Sequence, residues 1–267
     1  MSEPTLQAQI DAATAYESLF VPALFEQWAP RVADAARVAT GLRVLDVACG
    51  TGVVAREALT RVGGGGHVVG IDPNAGMLAV ALDRAPEIDW KKGVAEELPF
   101  PDSSFDAVVS QFGLMFFADR VKGLREMLRV LRPGGHLAVA VWDALEANPA
   151  FAAEDALLAR EAGDEAAEAL RAPFALGDPD RLAALLAQAG ISSPEIATHA
   201  GTARFPSIRT MVEADLRGWL PLVGVHLADE KITRILESAE RDLAAFTDAS
   251  GHARFTVSAH IASAVRG

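Results

Sequence analysis

Two acids and two glycines stand close together early in the chain: Asp46, Gly50 and Gly52, and then Asp72 a further turn of chain away. The first three belong to VLDVACGTG, residues 44–52. Val44, Leu45 and Val47 read as a short buried strand. The run Ala48-Cys49-Gly50-Thr51-Gly52 then strips side-chain bulk from the point where the chain must turn into a helix. Glycine carries no Cβ, so it permits positive φ and lets a ligand lie directly on the backbone. The helix expected from near Val53 would point its unpaired N–H groups into that gap. Such a turn suits a nucleotide cofactor. Asp72 closes a second apolar strand, HVVGID, where a carboxylate can accept hydrogen bonds from two vicinal ribose hydroxyls. The plainer alternative is that Asp72 caps a helix starting at Pro73.

Which cofactor follows from the details of the turn. A dinucleotide loop wants G-x-G-x-x-G, whereas this one is Ala48-x-Gly50-x-Gly52 preceded by Asp46. An acid there repels a pyrophosphate and attracts a ligand that carries an ammonium and no phosphate, as S-adenosylmethionine does. LDVACGTG resembles motif I of the class I S-adenosylmethionine-dependent methyltransferases. Residues 93–110, GVAEELPFPDSSFDAVVS, resemble the branch that includes the ubiquinone and menaquinone C-methyltransferases, and RVLRPGGHLAV (129–139) is similar to that family's turn after a helix.

The resemblance implies an α/β, Rossmann-like, seven-stranded and mostly parallel sheet, order 3-2-1-4-5-7-6, with helices on both faces and a helical lid. It implies S-adenosylmethionine as cofactor, with SN2 methyl transfer to oxygen, nitrogen or carbon of a small, largely apolar acceptor. On this reading Asp46, Ala48, Gly50 and Gly52 form the turn around the cofactor, and Asp72 with Pro73 holds its ribose. Met77 lies against the adenine, which Ala95 and Glu96 read from its edge, Val94 standing where the family has an acid. Tyr16, on a helix before the first strand, can reach the cofactor's carboxylate or else simply packs. In Gln111-Phe112-Gly113-Leu114-Met115-Phe116-Phe117, Gln111 and Phe112 face the cofactor while Met115 and Phe116 line the acceptor pocket together with Trp219. Where the acceptor must lose a proton, a base is needed. His226 is the candidate, and His136, at the opposite edge of the sheet, is not one.

The bulk properties narrow the field. With 267 residues the chain can bury a sizeable core. A net charge of -12 argues against nucleic acid as a partner. The single cysteine, Cys49, excludes an internal disulfide and a cysteine zinc cluster and suits a reducing cytoplasm. No leader and no membrane span is expected, nor a resident metal. The expected assembly is a monomer or homodimer.

Taken in order, residues 1–40 read as helices covering the cofactor, with Pro22 and Pro30 as breaks, and 41–142 as the cofactor-binding core. Residues 143–177 read as a helical lid insertion, 178–206 as the core continued, 207–250 as a second helical insertion and 251–267 as the last strand. Two other functions use the same pocket: a non-catalytic S-adenosylmethionine-binding regulator, and a nicotinamide-dependent oxidoreductase, against which the glycine pattern and Asp46 count.

Overall fold

Period-two apolar runs and period-3.6 amphipathic runs alternate along the chain, and the computed structural model, which describes residues 5–267, resolves them into seven strands in one sheet. The first four residues of the 1–40 segment lie outside the described residues. A helical run opens the chain: α1 (Leu6–Ala15), a π-helical stretch Tyr16–Phe25, a 3₁₀ turn Glu26–Trp28 and α2 (Ala29–Ala35). Pro22 does not break it. The chain widens around the proline into π geometry, which tolerates the missing N–H, and Pro30 sits in the first turn of α2, where no donor is needed.

The core then alternates strand and helix: β1 (Arg43–Val47), α3 (Val53–Val62), β2 (His67–Asp72), α4 (Ala75–Arg84), β3 (Asp89–Lys92), β4 (Phe105–Gln111), α5 (Arg120–Val130) and β5 (Leu131–Trp142). Two boundaries depart from the sequence reading. Helix α4 begins at Ala75, capped by the Asn74 side chain on the N–H groups of Gly76 and Met77, so Pro73 precedes the helix and Asp72 is not its N-cap. β5 begins at Leu131, because the Arg132–Gly135 turn, with Gly134 at φ +74°, is absorbed as an irregularity in the pairing with β4.

The strand order is β3-β2-β1-β4-β5-β7-β6. All neighbours are parallel except β7 (Ala253–Val265), which runs antiparallel to β5 and to β6 (Glu195–Phe205). The direction of winding reverses between β1 and β4, and a crevice opens beyond their carboxyl ends. The outer edge of β6 is closed by a side chain: Gln27 donates to the Thr202 carbonyl and accepts from the Thr202 N–H, as a neighbouring strand would.

Two helical groups leave the sheet at the carboxyl ends of β5 and β6. After β5 come α6 (Pro149–Glu161) and α7 (Asp164–Arg171), with α8 (Pro179–Gln188) returning to β6. After β6 come α9 (Ile208–Ala214), a π-helical turn Asp215–Trp219, the single turn α10 (Leu220–Leu222) and α11 (Asp229–Asp242). The groups pack on each other, α11 against both α6 and α9, and the Trp219 indole donates to the Ala169 carbonyl. Inside this layer Glu154 and Asp215 lie buried beside one another, and burial holds both carboxyls protonated more strongly than in water. Among the described residues no helix is long and apolar enough to cross a membrane.

The first helix lies on α4, so closely that a Cβ at Gly76 would overlap the backbone of Gln9. Gly76→Ala is therefore expected to lift α1 while the sheet stays intact. Hydrogen exchange should show faster exchange across residues 6–15 and unchanged protection in β1 and β4; unchanged exchange in α1 would refute the close docking.

Candidate cofactor and acceptor site

The crevice is built on strained backbone. Three residues of the first turn have positive φ: Ala48 at +55°, Gly50 at +55° and Gly52 at +87°. Phe112, at the end of the neighbouring β4, stands at +54°. A left-handed non-glycine residue costs about 1 kcal/mol, so Ala48 and Phe112 mark a place where surrounding structure overrides local preference. The two glycines serve different ends. A Cβ on Gly52 would run into the Trp90 ring, whereas one on Gly50 would meet nothing within 4 Å. Gly52 is thus a packing glycine, and Gly50 is the one that leaves backbone open to a ligand.

Asp72 fixes the turn from outside it. One carboxylate oxygen accepts the Gly50 N–H at 2.9 Å and the other accepts the Asn74 N–H at 2.8 Å, so the chain ends of β1 and β2 are held on one side chain. Each oxygen retains a lone pair for a further donor. Burial raises the Asp72 pKa against the pull of those two amides.

Asp46 sits differently. It is 1% exposed, and its Oδ2 accepts the Ala55 N–H at 3.0 Å in the first turn of α3. Burial foremost, with the charge of Asp72 adding to it, pushes its pKa up to about 8. The acid read from the sequence as an ammonium partner is therefore tucked under the helix start. Cys49 is buried in the same turn, and its thiol pKa is raised by burial and by both acids, which leaves it an unreactive packing group.

The π-helical stretch covers this turn. Tyr16 stacks on Phe20 and Phe25, and its hydroxyl pKa is raised by burial first and then by the charges of Glu17 and Asp72. Gln111 donates to the Phe25 carbonyl, while its Oε1 is buried without a partner. Thr51 Oγ1, Ser110 Oγ and Glu17 Oε2 are likewise buried and unpaired. Buried polar atoms normally find partners. Orphaned acceptors and hydroxyls on the turn after β1, the end of β4 and the covering segment are groups that a polar, amino-acid-bearing nucleoside would satisfy.

Other residues from the sequence reading are placed as follows. Met77 is half-buried in the first turn of α4, and Pro73 is exposed. Ala95 is buried, while Glu96 Oε1 accepts the Asp119 N–H at the start of α5. Phe112 turns inward and stacks on Trp142 at 3.9 Å between ring centroids, with Trp28 and Phe25 around the pair. Met115 is buried; Phe116 is half exposed and meets Trp219 at 5.3 Å. His226 is exposed in the stretch between α10 and α11, and no hydrogen bond, ion pair or ring contact joins it to the turn. Trp142 and the Glu17–Arg56 ion pair are features the sequence reading did not single out. An acid inside the apolar run YESLFVPALF was the available signal. Among the described residues no group of three His, Cys, Asp or Glu side chains is arranged to hold a metal.

Comparison with known proteins agrees with this geometry. Residues 45–139 match the methyltransferase domain family. Over 114 residues the chain is 46% identical to the demethylmenaquinone methyltransferase of Renibacterium salmoninarum, an alignment covering 43% of this chain and 47% of that one. Over 118 residues it is 47% identical to the ubiquinone/menaquinone biosynthesis C-methyltransferase of Stenotrophomonas maltophilia, covering 42% of this chain and 47% of the relative. The chain spans about half the length of the curated relatives it matches. The fold is shared with Haemonchus contortus phosphoethanolamine N-methyltransferase 2 in complex with phosphomonomethylethanolamine and S-adenosylhomocysteine, at TM-score 0.60 and 18% identity, over 97% of this chain and 58% of that one. The sheet order is the one the resemblance implied, a Rossmann-like α/β sheet of order 3-2-1-4-5-7-6. The matched segment is similar to those of the ubiquinone and menaquinone methyltransferases.

The raised pKa of Asp46 has a stability consequence. The folded state holds a proton on this group between about pH 4 and pH 8, where the unfolded chain has released it, so this contribution to stability is full below pH 4 and declines as pH rises to about 8. Asp46→Asn keeps an acceptor for Ala55 and removes the titration. Urea unfolding at several pH values should find the variant gaining on the wild type between pH 4 and 8; a constant difference would show that Asp46 is not held protonated.

Proposed function

We propose that this protein transfers the methyl group of S-adenosylmethionine to oxygen, nitrogen or carbon of a small, largely apolar organic acceptor. The observation that carries the reading is the Asp72 clamp on Gly50, which holds open backbone beside a carboxylate with lone pairs to spare and a ring of unpaired buried polar atoms. Asp72 would take the ribose hydroxyls, Gly50 would let the ligand approach the backbone, and Met77 and Ala95 would flank the adenine. When bound, the cofactor supplies a methyl group already activated by its sulfonium. The protein's part is then alignment and exclusion of water. The Phe112–Trp142 stack and the layer of α6, α7 and α9–α11 close the crevice, and the contact of Phe116 with Trp219 offers an aromatic wall to an apolar acceptor.

Titration calorimetry tests the cofactor: S-adenosylhomocysteine should bind and NAD should not. Asp72→Ala should weaken that binding by about 1–3 kcal/mol through lost hydrogen bonds. Unchanged affinity would make Asp72 a backbone clamp alone. Once a library of quinols, phenols and amines has yielded an acceptor, Trp219→Ala should raise KM for it several-fold and leave S-adenosylhomocysteine affinity as it was; an unmoved KM would take Trp219 out of the acceptor site. A protein that binds the cofactor and turns over no acceptor would be a regulator instead.

A further inference from the structure

Glu17 is 8% exposed, in a stretch of chain that is otherwise mostly apolar. Its Oε1 accepts from Arg56 Nη2 at 2.9 Å, and Arg56 Nη1 in turn donates to the Thr51 carbonyl at 2.6 Å. An ion pair formed between the covering π-helix and α3 therefore rests on the glycine-rich turn itself. The pair is incomplete: Glu17 Oε2 is buried with no partner, as is the neighbouring Thr51 Oγ1. Leaving a carboxylate oxygen desolvated without a donor is costly, and a bound donor removes the cost.

Three acids surround the turn, and two are already engaged there. Asp46 lies beneath it, bonded to Ala55. Asp72 spends both oxygens on the amides of Gly50 and Asn74. Glu17, on the covering side, keeps a whole oxygen, Oε2, buried without a donor. Arg56, paired with Glu17, holds the Thr51 carbonyl, and Asp72 holds the amide of the adjacent Gly50, so both acids are tied to the same bend of chain. A ligand with its ribose at Asp72 thus has Glu17 within the same enclosure for its other end.

We propose that the Glu17–Arg56 pair receives the amino-acid end of the cofactor, Glu17 Oε2 accepting its α-ammonium and Arg56 meeting its carboxylate. The inference rests on S-adenosylmethionine being the cofactor. It replaces Asp46 as the ammonium partner with an acid 29 residues earlier in the sequence. A zwitterion set against an ion pair places each charge beside its opposite, so all four are compensated without bulk water. Because Glu17 belongs to the covering segment and Arg56 to the core, the same contacts would hold that segment closed over bound ligand.

The test is titration calorimetry on the full chain with three ligands: S-adenosylhomocysteine, its deaminated analogue, and 5′-methylthioadenosine, which lacks the amino-acid end. Wild type should bind S-adenosylhomocysteine roughly 10- to 100-fold more tightly than the deaminated analogue. Glu17→Gln should erase most of that difference while binding of 5′-methylthioadenosine is unchanged, which also reports an intact turn. Arg56→Met, which leaves the acid in place, should weaken both carboxylate-bearing ligands and spare 5′-methylthioadenosine. An equal loss for all three ligands in both variants would mean a purely structural clasp and overturn the proposal, as would no loss at all. If the wild type binds none of the three, the cofactor assignment itself falls; if it binds 5′-methylthioadenosine as tightly as S-adenosylhomocysteine, only the zwitterion site falls.

Discussion

The rest of the structure leans on the two hydrogen bonds of Asp72. A carboxylate at the end of β2 takes the amide of Gly50 from the turn after β1 and the amide of Asn74 from the turn before α4. Hydrogen bonds to a charged group contribute about 1.5–3 kcal/mol, enough to hold a turn containing a left-handed alanine that costs about 1 kcal/mol. With Gly50 pinned, the chain enters α3 through Gly52, Asp46 is trapped beneath the first turn of that helix, and a patch of backbone faces the crevice. Burial raises the pKa of both acids, a cost the fold carries where a carboxylate stands beside open backbone.

Around this clamp the protein closes its own crevice. The covering segment contributes Tyr16, Phe20 and Phe25, and Phe25 joins Phe112, Trp142 and Trp28 in a continuous aromatic cluster over the carboxyl ends of β4 and β5. Edge-to-face and stacked rings of this kind add about 0.5–1.5 kcal/mol a pair beyond area burial. The segment that carries Tyr16 is π-helical and follows a helix seated on α4. The layer built by α6 and α11 keeps two uncompensated acids, Glu154 and Asp215, at its centre, a local conflict with no cation among the groups that shift them.

Much of the frame was readable in advance because it follows from short-range physics. Apolar strands ending in acids, glycines at turn positions and helices with i, i+3, i+4 spacing define β1 to β5 and their crossovers with little help from elsewhere. Resemblance to a known family then supplied the order of the sheet. The site was less readable, for reasons visible at particular residues. Gly50 and Gly52 look equivalent in sequence, yet one faces open space and the other faces Trp90, a residue brought over by β3. Glu96 reads as an adenine-side acid until α5 arrives to claim one of its oxygens. His226 was singled out for its place in the second helical insertion, and the fold leaves it exposed.

The amino-acid sequence by itself determined the turn and the acid at the end of each flanking strand, since backbone freedom, side-chain size and strand period are properties of neighbouring residues. It also determined that the chain would have to choose between charge types at that turn, and the pattern of glycines made the choice. Only the tertiary structure decided what each acid at the turn meets. Glu17 and Arg56 meet because the first helices fold back across α3, and Asp46 is withdrawn because α3 starts directly above it. Desolvation and pairing depend on what lies opposite in space, and no spacing along the chain encodes that.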